Sequence, residues 1–326
     1  MNRRVKKITY VSLESIPLYS LAFVFIAVAP AIVGYMVWEA RTMEVTELAV
    51  QGAPGGIVFI ADPHLKSGNV DHVRSAIQEI NRLHPSIVLI GGDFANGEEE
   101  NFSLHDVWRD IDAPVYAVLG NHDYRTGTDG LGGLRKMVGV AGACTDPEGY
   151  DVSSLRDDES DIVFADSLEE TLERNGVTVL RNEYVDLEID GTPLRIVGVD
   201  DGWAGMADPP EVPKTDAFTI YMIHEPSCRA DWDADLILAG HTHGGQFMVP
   251  LVGQLNAWNV VELSGLKTES GMTPTYITRG ICGSSVGSMD LRFNSRPEIV
   301  LINPPERAVA GAEAGEIVRV PAMADA

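Results

Sequence analysis

The sequence predicts an α/β (α+β) fold, and two observations carry that prediction. Between Ile57 and Leu119, short apolar runs alternate with helical stretches, and every run ends in a turn that offers a carboxylate, an amide or an imidazole. A second series of apolar runs, from Val177 to Ala239, ends the same way at His224 and at Gly240-His241-Thr242-His243-Gly244-Gly245-Gln246. Open α/β sheets hold their ligands outside the carboxyl ends of their strands, so the pattern gives both the class and the place to look for chemistry.

The first run, Ile57-Val58-Phe59-Ile60-Ala61, follows a Gly/Pro linker and is apolar on both faces, which predicts a strand buried on both sides. Asp62-Pro63-His64 ends it. Val70, Val73, Ile77, Ile80 and Leu83 recur at helical spacing, with Asn69 placed to cap that helix. Ile87-Val88-Leu89-Ile90 is the second strand and ends in Gly91-Gly92-Asp93. A more polar helical stretch, about Asn101 to Ile111, leads to the third strand, Val115 to Leu119, and Gly120-Asn121-His122-Asp123 ends it.

From Tyr124 to about Leu172 the pattern weakens. Residues 146–170 hold ten Asp or Glu and one basic residue, Arg156, which predicts a solvated, partly mobile insertion over about 140–166, or else a lid over a substrate. Strands resume at 177–180, 184–189, 194–199 and 218–223, with Asp190-Gly191 as a hairpin turn. Runs at 236–239, 275–277 and 298–302 complete the set, and the Ala- and Glu-rich tail, 304–326, reads as disordered.

The net charge of -24 over 326 residues excludes a general nucleic-acid binder, because a polyanion would be repelled. Three scattered cysteines, Cys144, Cys228 and Cys282, form neither a disulfide framework nor a thiolate metal site by spacing. Ile16 to Trp38 is a run of 23 residues without a charge, the length of a bilayer-spanning helix, and Arg3, Arg4, Lys6 and Lys7 precede it. The positive-inside rule then predicts a cytoplasmic amino terminus at 1–15, a single-pass anchor in the cell membrane at 16–38, a linker at 39–54 and an extracytoplasmic remainder. Ala27-Val28-Ala29 offers a competing reading as a cleaved signal peptide, but the run continues past it and Pro30 follows the cut directly.

The polar strand ends are Asp62, His64, Asp93, Asn121, His122, Asp123, His224, His241 and His243, a set that takes five of the eight histidines. His72, His84 and His105 fall outside the pattern and read as surface or satisfied side chains. Oxygen and nitrogen ligands without thiolate suit Mn, Fe or Zn, and there are more of them than one ion needs. Two ions roughly 3.5 to 4 Å apart, bridged by one carboxylate, would use them all and would clamp the attacking and leaving oxygens of a phosphoryl transfer. His241 and His243, at i and i+2 on an extended backbone, would face different ions.

Asp62-x-His64, Gly92-Asp93, Gly120-Asn121-His122-Asp123, His224 and Gly240-His241-Thr242-His243 together resemble the calcineurin-like metallophosphoesterase superfamily, over about residues 55–303. The Gly-His-Thr-His-Gly-Gly-Gln form, with Arg292-Phe293 and Pro297-Glu298, is similar to its bacterial YkuE/YaeI-type branch of membrane-anchored phosphodiesterases. The resemblance implies a four-layer αββα sandwich with two divalent metal ions at the strand ends. It puts Asp62, His64 and His243 on one ion, Asn121, His224 and His241 on the other, and Asp93 between them. It implies hydrolysis of a small-molecule or lipid phosphate ester by a metal-bound hydroxide, with His122 protonating the leaving oxygen or stabilising the phosphoryl group, and Asp123 orienting the His122 ring. Pro63 is a departure from the family pattern that stiffens the first turn without removing a ligand.

A pyrophosphatase acting on a lipid-linked or nucleotide-sugar substrate is the alternative enzyme, although that class commonly carries Arg where this chain has His122. A non-catalytic binding module is the alternative outside enzymes. Such modules usually lose ligands, and here none is missing.

Overall fold

The structure, a computed structural model, describes residues 18–96, 101–258, 260–268, 271–283, 290–305 and 317–321, with only the backbone described for 18–25 and 317–321. Its elements run α1 (Leu18–Arg41), β1 (Glu44–Leu48), β2 (Ile57–Ile60), α2 (Val70–Arg82), β3 (Ile87–Gly91) and β4 (Val115–Val118). There follow α3 (Gly130–Val140), α4 (Ile162–Arg174), β5 (Val177–Val179), β6 (Glu183–Ile189), β7 (Thr192–Gly198), β8 (Phe218–Met222) and β9 (Leu236–Ala239). The chain closes with α5 (Pro250–Ala257), β10 (Gly265–Lys267), β11 (Thr275–Ile277), β12 (Glu298–Ile302) and β13 (Ile317–Pro321).

The strands form two sheets, one seven-stranded in the order β13-β1-β12-β2-β3-β4-β5 and one six-stranded in the order β10-β11-β9-β8-β7-β6. β2 to β5 are mutually parallel, as are β7, β8, β9 and β11, so their carboxyl ends fall on one rim of each sheet. Alternation along β2 shows why the run had to be apolar throughout. Val58 and Ile60 pack under α2 and α4, whereas Ile57 and Phe59 join Leu89, Ile220 and Leu238 in the layer between the sheets. Each such side chain, fully buried, contributes roughly 2 kcal/mol.

A mixed α/β sandwich therefore stands as expected, with an asymmetry in its outer layers. Helices cover the first sheet, but the outer face of the second is covered by Val152, Leu155, Trp203 and Trp232, which pack on Val197, Tyr221 and Ile237. Part of the acidic stretch read as solvated thus belongs to a core, and its end is helix α4, with Phe164, Ala165, Leu168 and Leu172 buried. The tail read as disordered supplies β13, paired antiparallel with β1; residues 306–316 and 322–326 lie outside the described residues.

The amino-terminal expectation needs correction. Residues 1–17 lie outside the described residues, and among those described no helix is long and apolar enough to cross a membrane. α1 carries Pro30 in its middle, and its last turns are committed to protein rather than lipid. Glu39 and Ala40 are buried, Tyr35 meets the Phe293 ring, and Met36 O accepts a hydrogen bond from Arg292 N. The single-pass location in the cell membrane, with its two-sided topology, is not supported.

Candidate metal centre

Five strand ends converge. β2 delivers Asp62 and His64, β3 Asp93, β4 Asn121 and His122, β8 His224, and β9 His241 and His243. Asp62, His64, Asp93, His241 and His243 all have positive φ, between 39° and 70°, so the chain turns through left-handed backbone where it presents a ligand. A non-glycine residue held there costs roughly 1–3 kcal/mol, a strain found where geometry serves a site. The extended backbone expected at His241 and His243 does not form, since both residues lie in the left-handed region.

Three groups of potential ligand atoms lie within 4.8 Å of one another: Asp62, His64 and His243; His64, Asp93 and His122; Asp93, His224 and His241. The Nε2 atoms of His64 and His243 are 3.2 Å apart. His243 Nδ1 lies 3.0 Å from the Cys282 carbonyl, which can only accept, so the His243 proton sits on Nδ1 and its Nε2 lone pair faces His64. His224 is fixed in the same way by the Gly91 carbonyl, 2.7 Å from Nδ1. Its Nε2 is 3.1 Å from Asp93 Oδ2 without the alignment of a hydrogen bond. Asn121 Oδ1 is 3.1 Å from His241 Nδ1, while Asn121 Nδ2 donates to Thr126 O and fixes which face of the amide points inward.

His224 Nε2 and Asp62 Oδ2 are buried without a hydrogen-bond partner, and the Nε2 atoms of His64 and His243 face each other. Lone pairs brought within about 3 Å in a dry site repel unless a cation or proton lies among them, and roughly 3 Å is the spacing of neighbouring ligands on one divalent ion. The residues present fit two such ions.

The electrostatics agree. Burial pushes His64 and His241 well below the ordinary imidazole range and His243 down to about 3, so all three are neutral, which is the ligating form. Burial raises Asp62 to about 7, offset in part by His224. For Asp93 burial acts upward too, but His224 beside it outweighs burial and holds the carboxyl well below its usual range. His224 goes the other way: Asp93, 3.1 Å away, outweighs burial and holds it well above the imidazole range.

One expected role is absent. Asp123, read as orienting the His122 ring, accepts instead from Ala95 N at 2.7 Å and Gly120 N at 2.9 Å, tying the β3 and β4 turns together. His122 Nδ1 has no partner; its main-chain N donates to Asp93 Oδ1 at 2.9 Å, and its ring meets His64 edge-on with centroids 4.5 Å apart. The ring is half-buried, so it reaches both the cluster and solvent.

Several supporting residues carry no mark in the sequence. Trp203 sets its ring edge-on to His241, centroids 4.3 Å apart. Gly127, at φ +60°, makes room for it, and the buried Lys136 holds the Trp203 carbonyl at 2.7 Å while pairing with Asp157 of the acidic stretch. Arg292, fully buried, donates to the carbonyls of Arg279, Gly280, Cys282 and Ser295, fixing the loop that orients His243. Arg292-Phe293 stood out as a motif, yet only the fold assigns it this task.

The calcineurin-like phosphoesterase family matches residues 56–245, which include every strand-end ligand. The chain belongs to that family. This phosphoesterase is 31% identical over 262 residues to the phosphodiesterase YaeI of Escherichia coli K12, covering 77% of this chain and 82% of that protein. It is 26% identical over 286 residues to the uncharacterized metallophosphoesterase YkuE of Bacillus subtilis, covering 81% and 86%. A third relative, the UDP-2,3-diacylglucosamine pyrophosphatase LpxG of Chlamydia trachomatis, is 27% identical over 282 residues, covering 76% and 82%. The phosphoesterase is a hydrolase acting on phosphoric esters.

Proposed function

We propose that this phosphoesterase hydrolyses a phosphodiester with two divalent ions, one held by Asp62, His64 and His243, the other by Asn121, His224 and His241, with Asp93 shared. The observation that carries the reading is the buried pair of Nε2 atoms of His64 and His243, 3.2 Å apart, beside an Asp93 that belongs to ligand groups on both sides. When bound, the ions supply Lewis acidity and lower the pKa of water towards neutrality. The protein's own part is to hold the lone pairs inward through the Cys282 and Gly91 carbonyls, and to keep an ionisable ring at the edge of the cluster. That ring is His122, which protonates the leaving oxygen.

The likeness to YaeI favours a diester; the likeness to LpxG favours a pyrophosphate, and a lipid-linked one, as the second reading. The test is hydrolysis by the full chain of bis(p-nitrophenyl) phosphate, and of a nucleotide-sugar pyrophosphate, with Mn, Zn or Fe added after chelation. We expect no turnover in chelator and recovery with at least one metal on the diester. Faster turnover of the pyrophosphate favours the second reading. No turnover of either with any divalent ion overturns both.

A further inference from the structure

The last turns of α1 meet the metal centre through a buried relay. Glu39 is 1% exposed, and its Oε1 accepts from Ser295 N at 2.8 Å. The Ser295 hydroxyl donates to His243 O at 2.9 Å and lies 3.3 Å from Gly244 O. Ser295 is itself 1% exposed, and its carbonyl accepts from Arg292, which also holds the Cys282 carbonyl that fixes the His243 ring. Phe293 N donates to Gln246 O, and the Arg296 guanidinium lies 5.1 Å over the Trp38 ring. Residues 292–296 are thus clamped between α1 on one side and the Gly240–Gln246 turn on the other.

We infer that Glu39 and Ser295 are positioning residues for His243, so that the last turn of α1 is part of the scaffold of the first metal site. The physical reason lies in the backbone of that turn. His243 sits at φ 50° and Gly244 at φ 62°, and an unfavourable conformation persists only where its surroundings over-determine it. The Ser295 hydroxyl supplies that constraint at the His243 carbonyl, and there is no slack, since a Cβ on Gly244 would lie 2.5 Å from Ser295 Oγ. Glu39 holds Ser295 in turn by its main-chain N–H. The inference rests on the assignment of His243 to an ion, and concerns residues that do not touch that ion.

The test is calorimetric titration of the metal-free full chain with Mn(II), with metal content measured in parallel. Glu39→Ala and Ser295→Ala should each weaken one of the two binding events about 10- to 100-fold, the usual cost of removing support behind a ligand, and leave the other event near wild type. Glu39→Gln should bind like wild type, because its amide oxygen still accepts from Ser295 N. If Glu39→Ala does not fold, Ser295→Ala, which leaves the Glu39 bond intact, decides alone. Two unchanged binding events in the alanine variants, with or without a lower Tm, overturn the relay and leave the metal assignment standing. A wild-type chain that binds no divalent ion overturns both.

Discussion

His122 shows how little of a residue's role its type decides. Its main-chain N–H is tied to Asp93 while Nδ1 of the ring is left without a partner, so the side chain is placed by its backbone. Replacing it removes the ring without disturbing the bond that holds Asp93. His122→Ala should therefore keep two ions per chain and lose about 10²- to 10⁴-fold in kcat on bis(p-nitrophenyl) phosphate, read from parallel metal content and initial rates. A variant that has lost an ion would instead place His122 among the ligands, a position its 4.8 Å grouping with His64 and Asp93 makes geometrically available. Asp123 makes the complementary point. The motif Gly-Asn-His-Asp was read for a carboxylate that orients the His122 ring, but its two oxygens serve main-chain N–H groups of two turns, and burial first, then Asp93, raises its carboxyl to about 7.

At the scale of elements, strands whose both faces are buried were legible because nothing but an apolar run survives there, and the helical spacing of Val70 to Leu83 became α2. What misled was local chemistry with more than one use. Asn69 does stand at the N-cap of α2 but makes no side-chain cap bond; its Oδ1 accepts from Lys66 N and its Nδ2 donates to the Pro63 and His64 carbonyls, so it braces the first ligand turn. Turns that close on the site tolerate almost no added volume. Gly280, at φ +69° in the loop after β11, would place a Cβ 2.6 Å from Asp62 Oδ2. Gly280→Ala must displace either that carboxylate or the loop held by Arg292, and should destabilise the protein by about 1–3 kcal/mol in urea unfolding while weakening metal binding. Unaltered metal affinity would show that the loop, not Asp62, gives way.

Across the whole molecule, one buried carboxylate joins the two sheets. Glu298, at the start of β12, accepts from Thr46 of β1, from Tyr276 of β11, and from Thr278 and Arg279, while Arg279 also pairs with Glu44. Burial would raise Glu298, but Arg279 and the Thr46 hydrogen bond outweigh it and hold the carboxyl below its ordinary range. A folded pKa below the unfolded value means that its stabilisation is fully present above the unfolded pKa, about 4.5, and is lost as pH falls through the folded value. Glu298→Gln should cost about 3 kcal/mol near pH 7, as breaking a buried pair does, and should flatten the acid side of the stability profile below about pH 4.5. An unchanged profile would remove Glu298 from the acid transition.

Although β1, in the stretch read as a linker, β10 and β13 escaped it, the sequence by itself determined the class of this molecule and the strands buried on both faces. Those features are written in runs of a few residues: an apolar stretch buried on both faces, then a turn that offers a ligand. The tertiary structure alone decided which proton or lone pair each ligand presents, because carbonyls such as Cys282 O and Gly91 O come from 39 and 133 residues away. It alone decided that an apolar amino-terminal run ends as part of the domain, since Glu39 meets Ser295 across 256 residues. No local pattern encodes a contact of that span, because its energy exists only once both sheets have closed.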